Sequence, residues 1–112
     1  MPKEHTRIYS KHTKNTVHLL GMAIAIARKE QGLSETTVSE KINVSRSTMQ
    51  RIEKGDLKVG IGLYFEAAWA VGVKIFAPDD ESLKQQLAHN KDVLQLLPKA
   101  AQPSRKVIDD NF

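Results

Sequence analysis

Cysteine is absent from the chain. Disulfides and thiolate metal sites are thereby excluded, and a reducing compartment fits, so a cytoplasmic protein is expected. Long hydrophobic runs are absent too. The longest, Leu19 to Ala27, falls short of the ~20 residues that span a bilayer, and no basic segment with a cleavage site surrounds it. There is no internal repeat and no low-complexity block, and Gly60 and Gly62 do not match a phosphate loop. His5, His12, His18 and His89 are scattered, with no H-x-x-x-H pair and no carboxylate cluster to complete a metal site. Asp79-Asp80 reads as a helix start, and Asp109-Asp110 lies in a tail that cannot hold catalytic geometry alone. Gly21 and Ser10 carry no nucleophile signature. A nuclease or hydrolase is therefore disfavoured, and the expectation is no catalytic residue, no cofactor and no metal.

What remains is a chain of 112 residues, 40% hydrophobic and 27% charged, enough to fold as one domain with tails. Its net charge of +4 is uneven. Residues 1–58 hold 11 Lys and Arg against 6 Asp and Glu, and residues 59–112 hold 6 against 7. A basic first half beside a near-neutral second half suggests a polyanionic partner for the first half.

Periodicity and capping residues predict an all-α fold of five helices. Residues 1–13 read as a polar arm in which Ile8 and Tyr9 can dock. A first helix is expected from Asn15 or Thr16 to about Gln31, stopped by Gly32, with Leu20, Ile24 and Ala27 facing inward. Met22, Ala25 and Ile26 make its other positions unusually apolar. Ser34 caps a second helix, aided by Glu35, with Val38 and Ile42 inward. Asn43 tolerates the left-handed conformation of a tight reversal, Val44 plugs the core, and Ser45 caps a third helix with Met49 and Ile52 inward and Gly55 at its end. A fourth helix spans about Gly60 or Ile61 to Val71, with Ile61, Tyr64, Ala68 and Val71 in the core and Phe65 and Trp69 on a different face. Val73 to Phe76 reads as an extended segment or loop. A fifth helix runs from Pro78 and Asp79-Asp80 to Leu97, halted by Pro98. Its Leu83, Leu87, Leu94 and Leu97 follow heptad-like spacing, interrupted by Asn90. The expected division is an arm over 1–13, a helical domain over 14–77, a helix for dimer or partner contact over 78–97, and a flexible tail over 98–112.

Two short helices joined by such a turn form a helix-turn-helix, although any αα-hairpin shares that outline. The outer face of the third helix separates the two readings. Arg46, Ser47, Gln50 and Arg51 share the face opposite Met49 and Ile52, all four can donate hydrogen bonds, and none is acidic. Arg can grip guanine O6 and N7, and Gln adenine N6 and N7. A merely solvated face usually mixes in Asp or Glu.

Leu33-Ser34, Val38, Asn43-Val44-Ser45-Arg46, Met49, Ile52-Glu53 and Gly55 resemble the helix-turn-helix family of the phage repressors, the XRE type. A longer pattern resembles the HipB-type antitoxins. It comprises Tyr9-Ser10, Leu19-Leu20-Gly21, Ala27-Arg28-Lys29-Glu30, Gln50 to Asp56, Val59 to Gly62, Phe65 to Ala68, Leu96 to Lys99 and Asp109-Asp110-Asn111-Phe112. The resemblance implies a lambda-repressor-like fold, with residues 14–77 as the helix-turn-helix DNA-binding domain, in which Arg46, Ser47, Gln50 and Arg51 face base edges. Ser34, Thr48, Lys54 and Lys58 would meet phosphates, which position the protein without reading sequence. It also implies a buried salt bridge between Arg28 and Glu53, residues that by themselves could equally be a solvated charge and a helix-surface residue. Two positions depart from the family. Glu35 stands where a phosphate-donating Gln is common, and Ser39 where Ala usually sits.

The implied function is a sequence-specific antitoxin that represses its own type II toxin-antitoxin operon and neutralises a HipA-like kinase toxin. The alternative is a stand-alone helix-turn-helix regulator with no toxin partner. The expected partners are double-stranded DNA with a pseudo-palindromic operator, a second copy of the chain, and the toxin, with no membrane. Ile26, Phe65, Trp69, Leu87, Leu94 and Phe112 are the candidates for the dimer or partner interface.

Overall fold

The computed structural model describes residues 7–99, which form five helices and no strand. These are α1 (Lys11–Glu30), α2 (Glu35–Lys41), α3 (Arg46–Glu53), α4 (Ile61–Ala70) and α5 (Asp80–Leu96). They divide into two compact units, one through Val73 and one from Lys74. The expected Phe112 contact lies outside the described residues.

In the first unit, α1 packs on α3 and α4, and α2 packs on α3 and α4. Ile24, Val38, Met49, Ile52 and Val71 are the largest side chains closed off from solvent, joined by Tyr64, Ala67 and Ala68. Burial of this apolar surface is the main favourable term holding the helices together. The turn between α2 and α3 has a definite mechanism. Asn43 sits at φ 58°, and Val44 donates its backbone N–H to Ser39 O at 2.9 Å, so the last carbonyls of α2 are satisfied as the chain reverses. Ser45 then caps α3 by accepting from Thr48 N–H at 3.1 Å. The architecture is all-α, with a helix-turn-helix of the lambda-repressor-like type.

Two expectations change. α1 begins at Lys11, a turn ahead of Asn15 and Thr16, because Ser10 Oγ accepts from Thr13 N–H at 3.1 Å and caps it. The end of the expected arm is therefore helical. Ile61, expected in the core, is 70% exposed. It opens α4 directly after its cap, Gly60, and borders an open groove with Tyr9, Val17, Leu20, Tyr64 and Phe65 instead of meeting a covering helix.

In the second unit, Asp79 caps α5 by accepting from Ser82 N–H at 2.7 Å, and its carboxyl is held below the usual range by that contact. No residue of α5 is buried. Ahead of it Phe76 sits at φ 70°, where Ala77 N–H donates to Ile75 O at 2.9 Å and Gln86 donates to Phe76 O at 3.1 Å.

Candidate nucleic-acid interface

The eight residues of α3 sort cleanly into two faces. Met49 and Ile52 are fully enclosed, while Arg46, Ser47 and Arg51 are exposed and Gln50 is half-buried. The structure thus brings the four base-reading candidates together on the outer face of one short helix, fixed from behind by two core side chains. Ser47 Oγ lies 3.1 Å from the Oγ of the capping Ser45. Arg46 leans toward Glu35 of α2, with Nη2 4.0 Å from the carboxylate, beyond hydrogen-bond reach. Arg51 is held more firmly: its Nε donates to Asp56 Oδ2 at 2.7 Å.

The phosphate candidates surround this face unevenly. Lys54 and Lys58 are exposed just beyond α3. Ser34 and Thr48 already have work within the fold. Ser34 Oγ accepts from Thr37 N–H at 3.0 Å and lies 2.8 Å from Thr37 Oγ1. Thr48 Oγ1 lies 2.9 Å from Ser45 Oγ. Glu35, where the resembled pattern often has a phosphate-binding Gln, points its carboxylate toward Arg46.

Behind the face, Arg28 of α1 and Glu53 of α3 form a two-pronged ion pair. Nε donates to Oε2 at 2.6 Å and Nη2 to Oε1 at 3.0 Å, and each side chain is only 9% exposed. A third Arg28 donor, Nη1, bonds Leu33 O at 2.8 Å. Hydrogen bonding to Glu53 outweighs burial and strengthens the charged guanidinium. The orientation of α3 is further set by two backbone approaches. A Cβ on Gly21 would lie 2.5 Å from Ile52 O and 2.8 Å from Glu53 O, and one on Gly55, at φ 75°, would lie 2.6 Å from His18 Cα. His18 Nδ1 also meets Lys54 O at 3.2 Å, which requires the tautomer with hydrogen on Nδ1.

Three contributors escaped the sequence reading. Gly21 is a lone glycine inside an apolar helical pattern, a signal of close backbone approach. Asp56 follows the helix-ending Gly55, and no local pattern says where its carboxylate points. Tyr64, expected only as core, donates its hydroxyl to Asp56 O at 2.7 Å.

Among the candidates for dimer or partner contact, Ile26, Phe65 and Trp69 are exposed in the first unit, and Leu87 and Leu94 in the second. Among the described residues there is no group of His, Asp and Glu suited to a metal ion. No described helix is long and apolar enough to cross a membrane.

Residues 24–64 match the helix-turn-helix family. No curated protein and no solved structure matches the chain. The matched segment runs from the buried Ile24 of α1 through α2, the turn and α3 to Tyr64 of α4. The match supports a DNA-binding helix-turn-helix in residues 24–64.

Proposed function

We propose that the chain is a sequence-specific repressor that binds a pseudo-palindromic operator as a homodimer and serves as the antitoxin and autorepressor of a type II toxin-antitoxin operon. The observation that carries the DNA-reading part is the acid-free outer face of α3, where Arg46, Ser47, Gln50 and Arg51 stand over a locked core. In this reading those four meet base edges in the major groove. Lys54, Lys58, Ser34 and Thr48 hold the phosphates, Ser34 as the cap of α2 and Thr48 through its bond to Ser45, the cap of α3, which sets those helix ends against the backbone.

The antitoxin role rests on the resemblance to HipB-type proteins, and exposed apolar side chains on two separate faces of α1 in the first unit support it. Met22 and Ile26 of α1 are 45% and 55% exposed, and Tyr9 borders the groove that Ile61 and Phe65 share. A HipA-like kinase toxin would cover part of α1 at one of these two places.

Selection of duplexes from a random-sequence pool by the full chain tests the DNA reading. Arg46→Ala should then cost about 1–3 kcal/mol on the selected site and relax preference at one base pair, whereas Lys54→Ala should weaken all duplexes alike and reduce the salt slope by about one. Unchanged affinity after substituting Arg46, Gln50 and Arg51 together would remove α3 as the reading helix. For the antitoxin role, the adjacent reading frame should encode a kinase-like protein that co-purifies with the chain and loses toxicity when bound. A kinase-like neighbour that fails to bind, or no such neighbour, leaves a stand-alone regulator.

A further inference from the structure

Four helices of the first unit end in the same way. The residue two past the helix cap turns back and donates its backbone N–H to a carbonyl in the last turn. Leu33 donates to Arg28 O at 3.1 Å, Val44 to Ser39 O at 2.9 Å, Asp56 to Arg51 O at 3.0 Å and Val73 to Ala68 O at 2.8 Å. In this motif the side chain of the returning residue packs against the residue whose carbonyl it caps, and the contact is ordinarily apolar. Leu33, Val44 and Val73 are the apolar residues expected at that position. The end of α3 alone among these four carries an acid, and its carboxylate meets the guanidinium of Arg51 on the outer face of the helix.

We propose that Asp56 is a positioning residue for sequence readout: it grips Arg51 through Nε and presents Nη1 and Nη2 to a guanine edge. The inference rests on the reading in which Arg51 contacts bases. Arg has five N–H donors in a rigid planar fork, and Asp56 takes the one on Nε. The two terminal nitrogens still match guanine O6 and N7, whereas the side-on grip that needs Nε is blocked.

The platform is itself fixed. Asp56 Oδ1 accepts from Lys58 N–H at 2.8 Å, its carbonyl accepts from Tyr64 OH at 2.7 Å, and its own N–H is bound to Arg51 O. The Arg51 and Lys58 bonds keep its carboxyl below the usual carboxylate range, so it is ionised at neutral pH.

Two consequences favour specificity. A long, rotamer-rich side chain is ordered before DNA arrives, which lowers the cost of ordering it on binding. The carboxylate also offsets the charge of Arg51, so this arginine is less drawn to phosphate and adds less to binding at random sequence. A stabilising role does not account for the pair, because its side chains are 46% and 30% exposed and such surface ion pairs contribute little.

The test uses the full chain, duplexes selected from the random pool, every single-base-pair variant of the selected site, and a scrambled duplex. Arg51→Ala should flatten preference at one base pair by about fivefold or more. Asp56→Asn keeps an acceptor for Lys58 N–H but drops the charge. It should relax preference at that same base pair by about three- to tenfold, hold or raise affinity for the scrambled duplex, and have no further effect once Arg51 is Ala. Unchanged preference at that base pair overturns the proposal. So does loss of scrambled-duplex affinity in parallel with specific affinity, or an equal effect of Asp56→Asn in the Arg51→Ala background. If Arg51→Ala itself changes no base preference, the base-reading role of Arg51 has failed and the inference falls with it, a result distinct from failure at Asp56 alone. A second measurement needs no variant of Asp56. The Arg51 Nε–H resonance of the free protein, assigned through Arg51→Lys, should be protected from exchange at neutral pH and lose protection as acid protonates Asp56. Exchange as fast as that of a solvated arginine overturns the proposal.

Discussion

At the scale of single residues, the decisive feature is a charged pair enclosed behind the outer face of α3. Arg28 and Glu53 are each 9% exposed, and three of the Arg28 donors are spent inside the fold. Removing one partner leaves the other charge buried without compensation, which costs more than the pair contributes when intact. Glu53→Ala should therefore lower unfolding free energy by roughly 3 kcal/mol, measured by urea denaturation. A loss no larger than that of an exposed Glu→Ala control would mean that water reaches Arg28. The types of these two residues were legible in the sequence only through a family pattern, since their partnership spans two helices and local spacing is silent on it. Tyr64 gives a second residue-scale expectation. Burial pushes its phenol up to about 12 from an ordinary 10, and the nearby Asp56 charge adds to the effect. The folded state thus holds this proton more tightly than the unfolded chain. Its stabilising contribution is complete below pH 10 and is lost as pH rises from about 10 toward 12. Tyr64→Phe should remove that part of the alkaline loss, visible as a flatter plot of stability against pH. A plot parallel to that of the wild type would contradict the assignment.

At the scale of elements, helix ends were the most legible part of the fold, because a cap is written in one or two adjacent residues. Ser34 and Ser45 cap α2 and α3 as their positions suggest, and Asn43 takes up the left-handed conformation at φ 58°. The start of α1 was less legible because Ser10, Asn15 and Thr16 all suit a cap. The choice fell to Ser10, whose side chain bonds both Thr13 N–H and Thr13 Oγ1. Ile61 misleads for a related reason. It keeps the spacing of an inward residue, but periodicity does not say whether another helix reaches over the first turn. Interhelical distance is likewise invisible in a pattern of apolar residues, and Gly21 is where it matters. Helical propensity alone favours Gly21→Ala by ~1 kcal/mol. The added Cβ would nevertheless stand 2.5, 2.8 and 2.9 Å from backbone atoms of Ile52, Glu53 and Gly55, none of which can rotate aside. α1 would have to move off the end of α3, and the forced shift costs typically 1–3 kcal/mol. Gly21→Ala should thus destabilise the protein and weaken DNA binding beyond what its stability loss explains. A rise in melting temperature would show that the helices separate freely.

At the scale of the whole molecule, the open matter is what α5 packs against. Its 17 residues include none that is buried, whereas helices in proteins draw most of their stability from a packed amphipathic face. Leu83, Leu87 and Leu94 are 41%, 63% and 70% exposed, so the heptad-spaced seam is exposed along α5, while Leu97, expected to continue it, is extended just past the helix end. With Asn90 in line, the seam has the form of a coiled-coil stripe, in which one polar residue sets register at some expense of stability. A second copy of α5 suits it because each seam is the complement of its own kind. A dimer would also serve the proposed DNA reading. One recognition helix spans few base pairs, and repressors of this type gain affinity by setting two of them one DNA turn, ~34 Å, apart. In the proposed dimer, Leu87→Lys with Leu94→Lys places charges inside the seam while leaving every residue of the helix-turn-helix unchanged. Sedimentation should show a shift from dimer to monomer at micromolar concentration, and circular dichroism a loss of helix confined to about the length of α5. Binding should fall to that of a single half-site, with base preference within the half-site intact, because α3 and its supports are untouched. A wild-type chain that stays monomeric across the micromolar range removes the dimer. A double variant that still dimerises moves the interface away from this seam, toward the exposed Phe65 and Trp69 of the first unit.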